Sequence, residues 1–152
     1  MNIWTNGCFD IIHAGHIDLL WYAKLYTDDV QTTANINVPN NKLFVGLDSD
    51  ERVKFLKGDK RPINDIMTRV KIMSNLKMVD SVVIFHDEQE LEYFIKVFNI
   101  DYMIIGDQYS NKRVIGAEFA KLGVVYYPTD DRSTTNIIEK ISIHYRSIGN
   151  CA

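Results

Sequence analysis

The stretch Ile3-Trp4-Thr5-Asn6-Gly7-Cys8-Phe9-Asp10-Ile11-Ile12-His13-Ala14-Gly15-His16-Ile17-Asp18-Leu19-Leu20 decides the fold. It opens on a short apolar run, residues 3–6, of strand character. A glycine-containing turn follows. Then Ile17, Leu20, Trp21 and Leu25 recur at the spacing of a helix that packs one face on a core. The rest of the chain repeats this alternation. Residues 43–47, 81–85, 102–105 and 124–127 read as further strands, each bounded by polar or glycine-containing segments. Helical stripes lie among them at Ile66, Val70, Met73 and Leu76, at Leu91, Phe94, Ile95 and Phe98, and at Ile138, Ile141 and Tyr145.

Near-continuous apolar strands joined by helical crossovers imply a parallel sheet covered on both faces. Right-handed crossovers then give an α/β, doubly wound, Rossmann-like fold. The 152 residues match one domain, so the whole of 1–152 is expected to be a single unit. The least regular part, residues 27–41, rich in Asn, Thr and Asp, reads as an inserted surface loop or an oligomer contact. Residues 147–152 read as a tail.

Composition narrows the class of function. Seventeen basic residues against twenty acidic ones leave a net charge of −3, which disfavours a nucleic-acid partner but leaves room for a small phosphorylated ligand. No Lys or Arg precedes Lys24, and no apolar run approaches the roughly 18 residues of a membrane span. A soluble, cytoplasmic protein with no membrane partner is expected. Cys8 and Cys151 lie near opposite ends and read as reduced thiols rather than a bridge.

Ligands of an open parallel sheet bind beyond the carboxyl ends of its strands, where strand order reverses. Polar and glycine residues gather at those ends: Gly7, Cys8, Phe9 and Asp10 after the first strand, Asp48, Ser49 and Asp50 after the second, Gly106 and Asp107 after the fourth, and 129–135 after the fifth. His13-Ala14-Gly15-His16 opens the first helix, and two imidazoles three residues apart share a face. Gly15 leaves room for a ligand at the backbone. A helix start offers free N–H groups and partial positive charge to a phosphate, and imidazole donors beside it would stabilise charge growing on phosphate oxygens. Two other readings stand beside this one: a chance pairing of a half-buried histidine, and a metal site in which Asp10 joins the histidines, for which the sequence holds no second ligand cluster.

The run from Asn6 to His16 resembles the signature of the cytidylyltransferase-like nucleotidyltransferases, the superfamily with a His-x-Gly-His motif. Three later segments agree in order: Leu56-Lys57-Gly58 with Arg61-Pro62-Ile63-Asn64 and Arg69; Ile105-Gly106-Asp107-Gln108-Tyr109; and Ser133-Thr134-Thr135-Asn136-Ile137-Ile138. Within the superfamily they are most similar to the heptose 1-phosphate adenylyltransferases, which make ADP-heptose from ATP. The nearest alternative is a glycerol-3-phosphate cytidylyltransferase using CTP. That group has Thr where this chain has Cys8, and an Arg-Thr-x-Gly lead into Ser-Thr-Thr. Here the lead, Thr129-Asp130-Asp131-Arg132, lacks the glycine and displaces the arginine. It departs from the adenylyltransferase pattern too, so the base stays open.

The resemblance implies that a sugar phosphate oxygen attacks the α-phosphate of a nucleoside triphosphate and pyrophosphate leaves. A phosphate monoester is already ionised near neutrality, so the chemistry calls for positioning and charge neutralisation rather than a nucleophile and base. His13 and His16 would contact the triphosphate and Lys57 would reach phosphates from a mobile loop, the alternative for Lys57 being a solvated charged turn. Gly7, Cys8, Phe9, Gly15, Gly106, Asp107, Ser133, Thr134 and Thr135 would line the nucleotide. Asp10 would fix its loop, or hold metal or acceptor; Arg69 would reach a phosphate or lie along the helix surface. Asp107 and Tyr109 would line the nucleotide or sugar pocket, or only form a turn. Magnesium would arrive with the triphosphate, and relatives suggest a homodimer. A nucleotide-binding module without turnover is the other class of function. A dinucleotide oxidoreductase is disfavoured because the first turn lacks G-x-G-x-x-G.

Overall fold

The computed structural model describes residues 1–28, 40–130 and 132–149. Its strands are β1 (Asn2–Gly7), β2 (Lys42–Asp48), β3 (Ser81–Phe85), β4 (Tyr102–Gly106) and β5 (Gly123–Tyr127). They form one parallel sheet in the order β3-β2-β1-β4-β5. The helices are α1 (Ala14–Leu25), α2 (Asp50–Lys57), α3 (Ile66–Ser74), α4 (Glu88–Val97) and α5 (Thr134–Gly149).

Alternation along the strands builds two cores. Ile3, Leu43, Val45, Leu47 and Ile104 meet Leu20 and Ala23 of α1 and Met73 of α3. Trp4 and Met103 point the other way, onto Leu91 and Ile95 of α4. The inner strands β1, β2 and β4 are thus buried on both faces, which is why they read as apolar runs, whereas β3 and β5 are only partly covered. At Gly46 the sheet admits no side chain, because a Cβ would run into the Trp4 indole.

The register creates the site. β1 pairs with β2 from Asn2↔Lys42 through Gly7↔Leu47, whereas its pairing with β4 joins Ile3↔Tyr102 and Trp4↔Met103 and goes no further. The carboxyl ends of β1 and β4 therefore part, and a crevice opens where the strand order reverses.

Three helices differ from their sequence reading. α2 was not legible as a helix, since Val53 is its one buried side chain and no apolar stripe marks it. Ser49 caps it by accepting the Arg52 N–H at 3.2 Å. In α1 the buried residues are Leu20 and Ala23, while Trp21 and Leu25 stay substantially exposed. In α5, Ile141 and Tyr145 are 59% and 78% exposed, so that stripe finds no core, and the helix runs on to Gly149 through the stretch read as a tail. Of the expected loop 27–41, residues 29–39 lie outside the described residues. Asn41 is buried, its amide donating to the carbonyls of Lys24 (3.2 Å) and Tyr26 (2.7 Å), and Lys24 pairs with Asp80 at 2.6 Å. Cys8 is a free thiol, and Cys151 lies outside the described residues.

Candidate active site

The turn after β1 is held by an unusual backbone. Phe9 sits in the left-handed region, φ 44°, a conformation a bulky residue adopts only when packing compels it. Its buried ring belongs to the core below α1 and meets the His16 ring edge-on, centroids 5.0 Å apart. This packing fixes the chain's path from β1 into α1.

His13 is the extended residue before α1, and its carbonyl accepts the N–H groups of His16 (3.0 Å) and Ile17 (3.3 Å). In return His16 Nδ1 accepts the His13 backbone N–H at 3.4 Å. The proton of a neutral His16 therefore rests on Nε2. The two rings stack at 3.7 Å between centroids. Burial first, then His13, push the His16 pKa down to about 4. Burial and the nearby Arg132 charge lower His13 as well, against Asp130. Both imidazoles are neutral at pH 7. His13 Nδ1 is buried without a hydrogen-bond partner in the protein. A Cβ on Gly15 would stand 3.2 Å from the His13 ring, so the glycine makes space for the histidine itself.

The start of α5 closes on this turn. Ser133 Oγ accepts the Asn136 N–H at 3.1 Å, and Thr134 Oγ1 donates to the Ile11 carbonyl at 3.2 Å. Arg132, noticed in the sequence only as a displaced arginine, reaches Asp18 of α1 at 2.9 Å and also pairs with Asp130. His13, His16 and the 133–135 segment thus meet at one rim, with Thr135 exposed there. Across the crevice Gly106 ends β4. Asp107 accepts the Thr129 N–H at 3.1 Å, and Tyr109, partly exposed, lies under Lys112.

Asp10 has the loop-fixing role. It is 1% exposed and accepts from Arg61 Nε (2.7 Å), the Ile63 N–H (2.8 Å) and the Asn64 N–H (2.8 Å). Arg69 corrects its sequence reading. Its fully buried guanidinium donates to the carbonyls of Asn64 (3.1 Å), Cys8 (2.8 Å) and Asp48 (2.8 Å), and to Asp50 Oδ1 (2.6 Å). It ties three loops together from below and faces no open crevice. The Arg69 tie was not legible, because its acceptors are mostly backbone carbonyls contributed by distant segments.

Lys57 is the last residue of α2 rather than part of an irregular loop, and it is exposed. Its charge acts on Cys8. Burial and Asp48, which accepts from Sγ at 3.6 Å, push the Cys8 thiol up to about 11, while Lys57 pulls it down. Lys57 thus lies within electrostatic reach of the turn after β1. Among the described residues no group of three His, Cys, Asp or Glu could hold a metal. Asp10 is committed to the 61–64 segment rather than joined with His13 and His16.

Neutral N–H donors and hydroxyls at a sheet's switch point, with a lysine within electrostatic reach, suit charge redistribution on phosphates. That is the layout of a nucleotidyltransferase. The chain belongs to the cytidylyltransferase-like family, whose model matches residues 4–140, and it is a nucleotidyltransferase of Rossmann-like fold. Over 139 residues it is 42% identical to the bifunctional protein HldE of Campylobacter fetus subsp. fetus and 40% identical to that of Helicobacter pylori strain P12. These matches take in 91% of this chain and 27% of each relative, so the chain spans about a quarter of the length of the curated relatives it matches. Among solved structures, the lipopolysaccharide core biosynthesis protein from Thermoplasma volcanium superposes with a TM-score of 0.58 at 25% identity, covering 84% of this chain and 93% of that one. A protein of unknown function from Archaeoglobus fulgidus shares the fold, with TM-score 0.55 and 14% identity over 86% and 90% of the two chains. No helix among the described residues is long and apolar enough to cross a membrane.

Proposed function

We propose that this domain transfers the adenylyl group of ATP to a heptose 1-phosphate. The observation that carries the reading is the meeting of His13 and His16 with the α5 start, through Thr134 and Ile11, at the β1/β4 opening. A triphosphate laid there has its α-phosphate beside the imidazoles. An oxygen of the sugar phosphate forms the new bond to that phosphorus, the bond to the bridging oxygen of the β-phosphate breaks, and pyrophosphate carries away the electron pair. The His16 Nε2–H donates to a phosphate oxygen as its charge grows. Lys57, from the β1 side, neutralises charge on the phosphates. Magnesium belongs to this reading as part of the substrate, bound to the triphosphate.

The heptose acceptor and ATP are supported by the Arg61-Pro62-Ile63-Asn64 and Ser133-Thr134-Thr135-Asn136 segments and by the kinship with HldE proteins. Pyrophosphate release, measured for ATP, CTP, GTP and UTP crossed with heptose 1-phosphate and glycerol 3-phosphate, tests it. ATP with heptose 1-phosphate is expected to give the highest kcat/KM. A clear preference for CTP with glycerol 3-phosphate would overturn the substrate assignment, and silence of every pair would overturn the transfer.

A further inference from the structure

The two flanks of the crevice differ in chemistry. Beside β1 and β2, α2 and the loop after it carry Lys54, Lys57 and Lys60, all exposed, a surface that attracts phosphate. At the ends of β4 and β5 stand Asp107, Gln108 and Thr129. Arg132 on that flank is already paired with Asp18 and Asp130. A flank of uncharged donors and acceptors with a carboxylate suits the nucleoside, not a second phosphate.

Gln108 is held there in two ways. Its carboxamide folds back over Gly106, where a Cβ would collide with it. It also touches Thr129 Oγ1, 3.0 Å from Gln108 Oε1. The Thr129 hydroxyl has a single proton, and it donates that proton to Asp107 Oδ1. Hydrogen bonding by Thr129 holds the Asp107 carboxyl below its ordinary range, so it is ionised and keeps that role. The hydroxyl can then only accept from Gln108, which requires the amide turned so that its nitrogen faces Thr129. One carbonyl oxygen and one N–H of the amide remain free, in a fixed order.

We infer that Gln108, oriented by Thr129 and Asp107, is a specificity-determining residue that reads the nucleobase. Adenine and cytosine present an amino group beside an unprotonated ring nitrogen; guanine and uracil present a carbonyl beside an N–H. An amide free to turn over pairs with either edge. One whose order is locked pairs with adenine or cytosine and rejects the reversed pattern. This deepens the transfer reading above and rests on it.

The test compares parent, Thr129→Val and Gln108→Leu in pyrophosphate release with ATP, CTP, GTP and UTP, using whichever phosphorylated acceptor turns over. Thermal unfolding reports that the variants fold. The parent is expected to favour ATP or CTP over GTP and UTP. Thr129→Val unlocks the amide and should shrink that ratio of kcat/KM by about tenfold, within the range of one bidentate amide–base pair, chiefly through the nucleotide KM. Gln108→Leu should shrink it as much. A parent that turns over with no preference between the two base classes, or folded variants that keep the parent's ratio, would overturn the inference alone. A parent silent with all four nucleotides overturns the transfer reading and this inference with it.

Discussion

The rings of His13 and His16 stack with centroids 3.7 Å and planes 26° apart, a contact too close for two cations. Burial and then His13 lower the proton affinity of His16, while burial and Arg132 lower that of His13, so the pair stands as two neutral groups near pH 7. A neutral imidazole gives one N–H and no net charge. In the proposed transfer, the positive charge for the departing pyrophosphate would come from Lys57 and from magnesium bound to the triphosphate.

His16→Ala removes a preorganised donor without touching the sheet. Turnover is expected to fall by about 10²-fold or more, with far-ultraviolet circular dichroism unchanged. Near-parental turnover would exclude His16 from the chemistry.

The depressed pKa of His16 also sets a pH dependence of stability. Above about pH 6.5 the imidazole is neutral folded or unfolded, and its packing contributes in full. As pH falls from 6.5 towards 4, the unfolded chain takes up a proton that the folded chain refuses, and stability drops. His16→Phe, which keeps a ring in the stack, should lose less stability between pH 7 and pH 5 than the parent in urea titrations. An equal loss would mean that the slope originates elsewhere.

Gly15→Ala tests placement rather than chemistry. The new methyl would stand 3.2 Å from the His13 ring, so the ring must give by a few tenths of an ångström, while alanine favours the helix by up to about 1 kcal/mol. A misplacement of about 1 Å costs up to about 10²-fold in rate, and this smaller shift a fewfold. The expected outcome is a domain that melts no lower than the parent and turns over a fewfold more slowly; unchanged kinetics would show that the imidazole position is tolerant.

Arg69 shows what the sequence concealed. Strand positions, order of elements and the His13–His16 turn were legible, because apolar runs, glycine turns and a short motif are local signals. The interior tie that Arg69 makes was not. Arg69 looks like any basic residue beside an apolar stripe, and its burial depends on carbonyls at Cys8, Asp48 and Asn64 that only folding gathers. α2 escaped notice for the opposite reason, being a helix with almost nothing to bury. The Gln108 and Thr129 contact spans the ends of two strands, and no spacing along the chain announces it.

Arg69→Leu leaves Asp50 and three carbonyls without their donor. It should cost about 3 kcal/mol of stability, the lower end for a broken buried pair, because Asp50 is a quarter exposed. Arg69→Lys keeps the charge but cannot span the same acceptors, and should also lower the urea midpoint. A lysine variant as stable as the parent, with only its nucleotide KM raised, would return Arg69 to the phosphates.

Lys57 and Cys8 can be read against each other. With its thiol near 11, Cys8 should react with iodoacetamide at pH 8 about a hundredfold more slowly than free cysteine, and Cys8→Ala should keep turnover, since no covalent step is involved. Lys57→Ala removes the charge that opposes this rise. Two effects are then expected together: Cys8 alkylation slows further, and the transfer rate falls with a raised nucleotide KM. If the amine merely caps α2 in solvent, neither measurement moves. If alkylation slows while kinetics hold, Lys57 stands beside the crevice but touches no phosphate. Only the joint change places its charge on the reacting triphosphate.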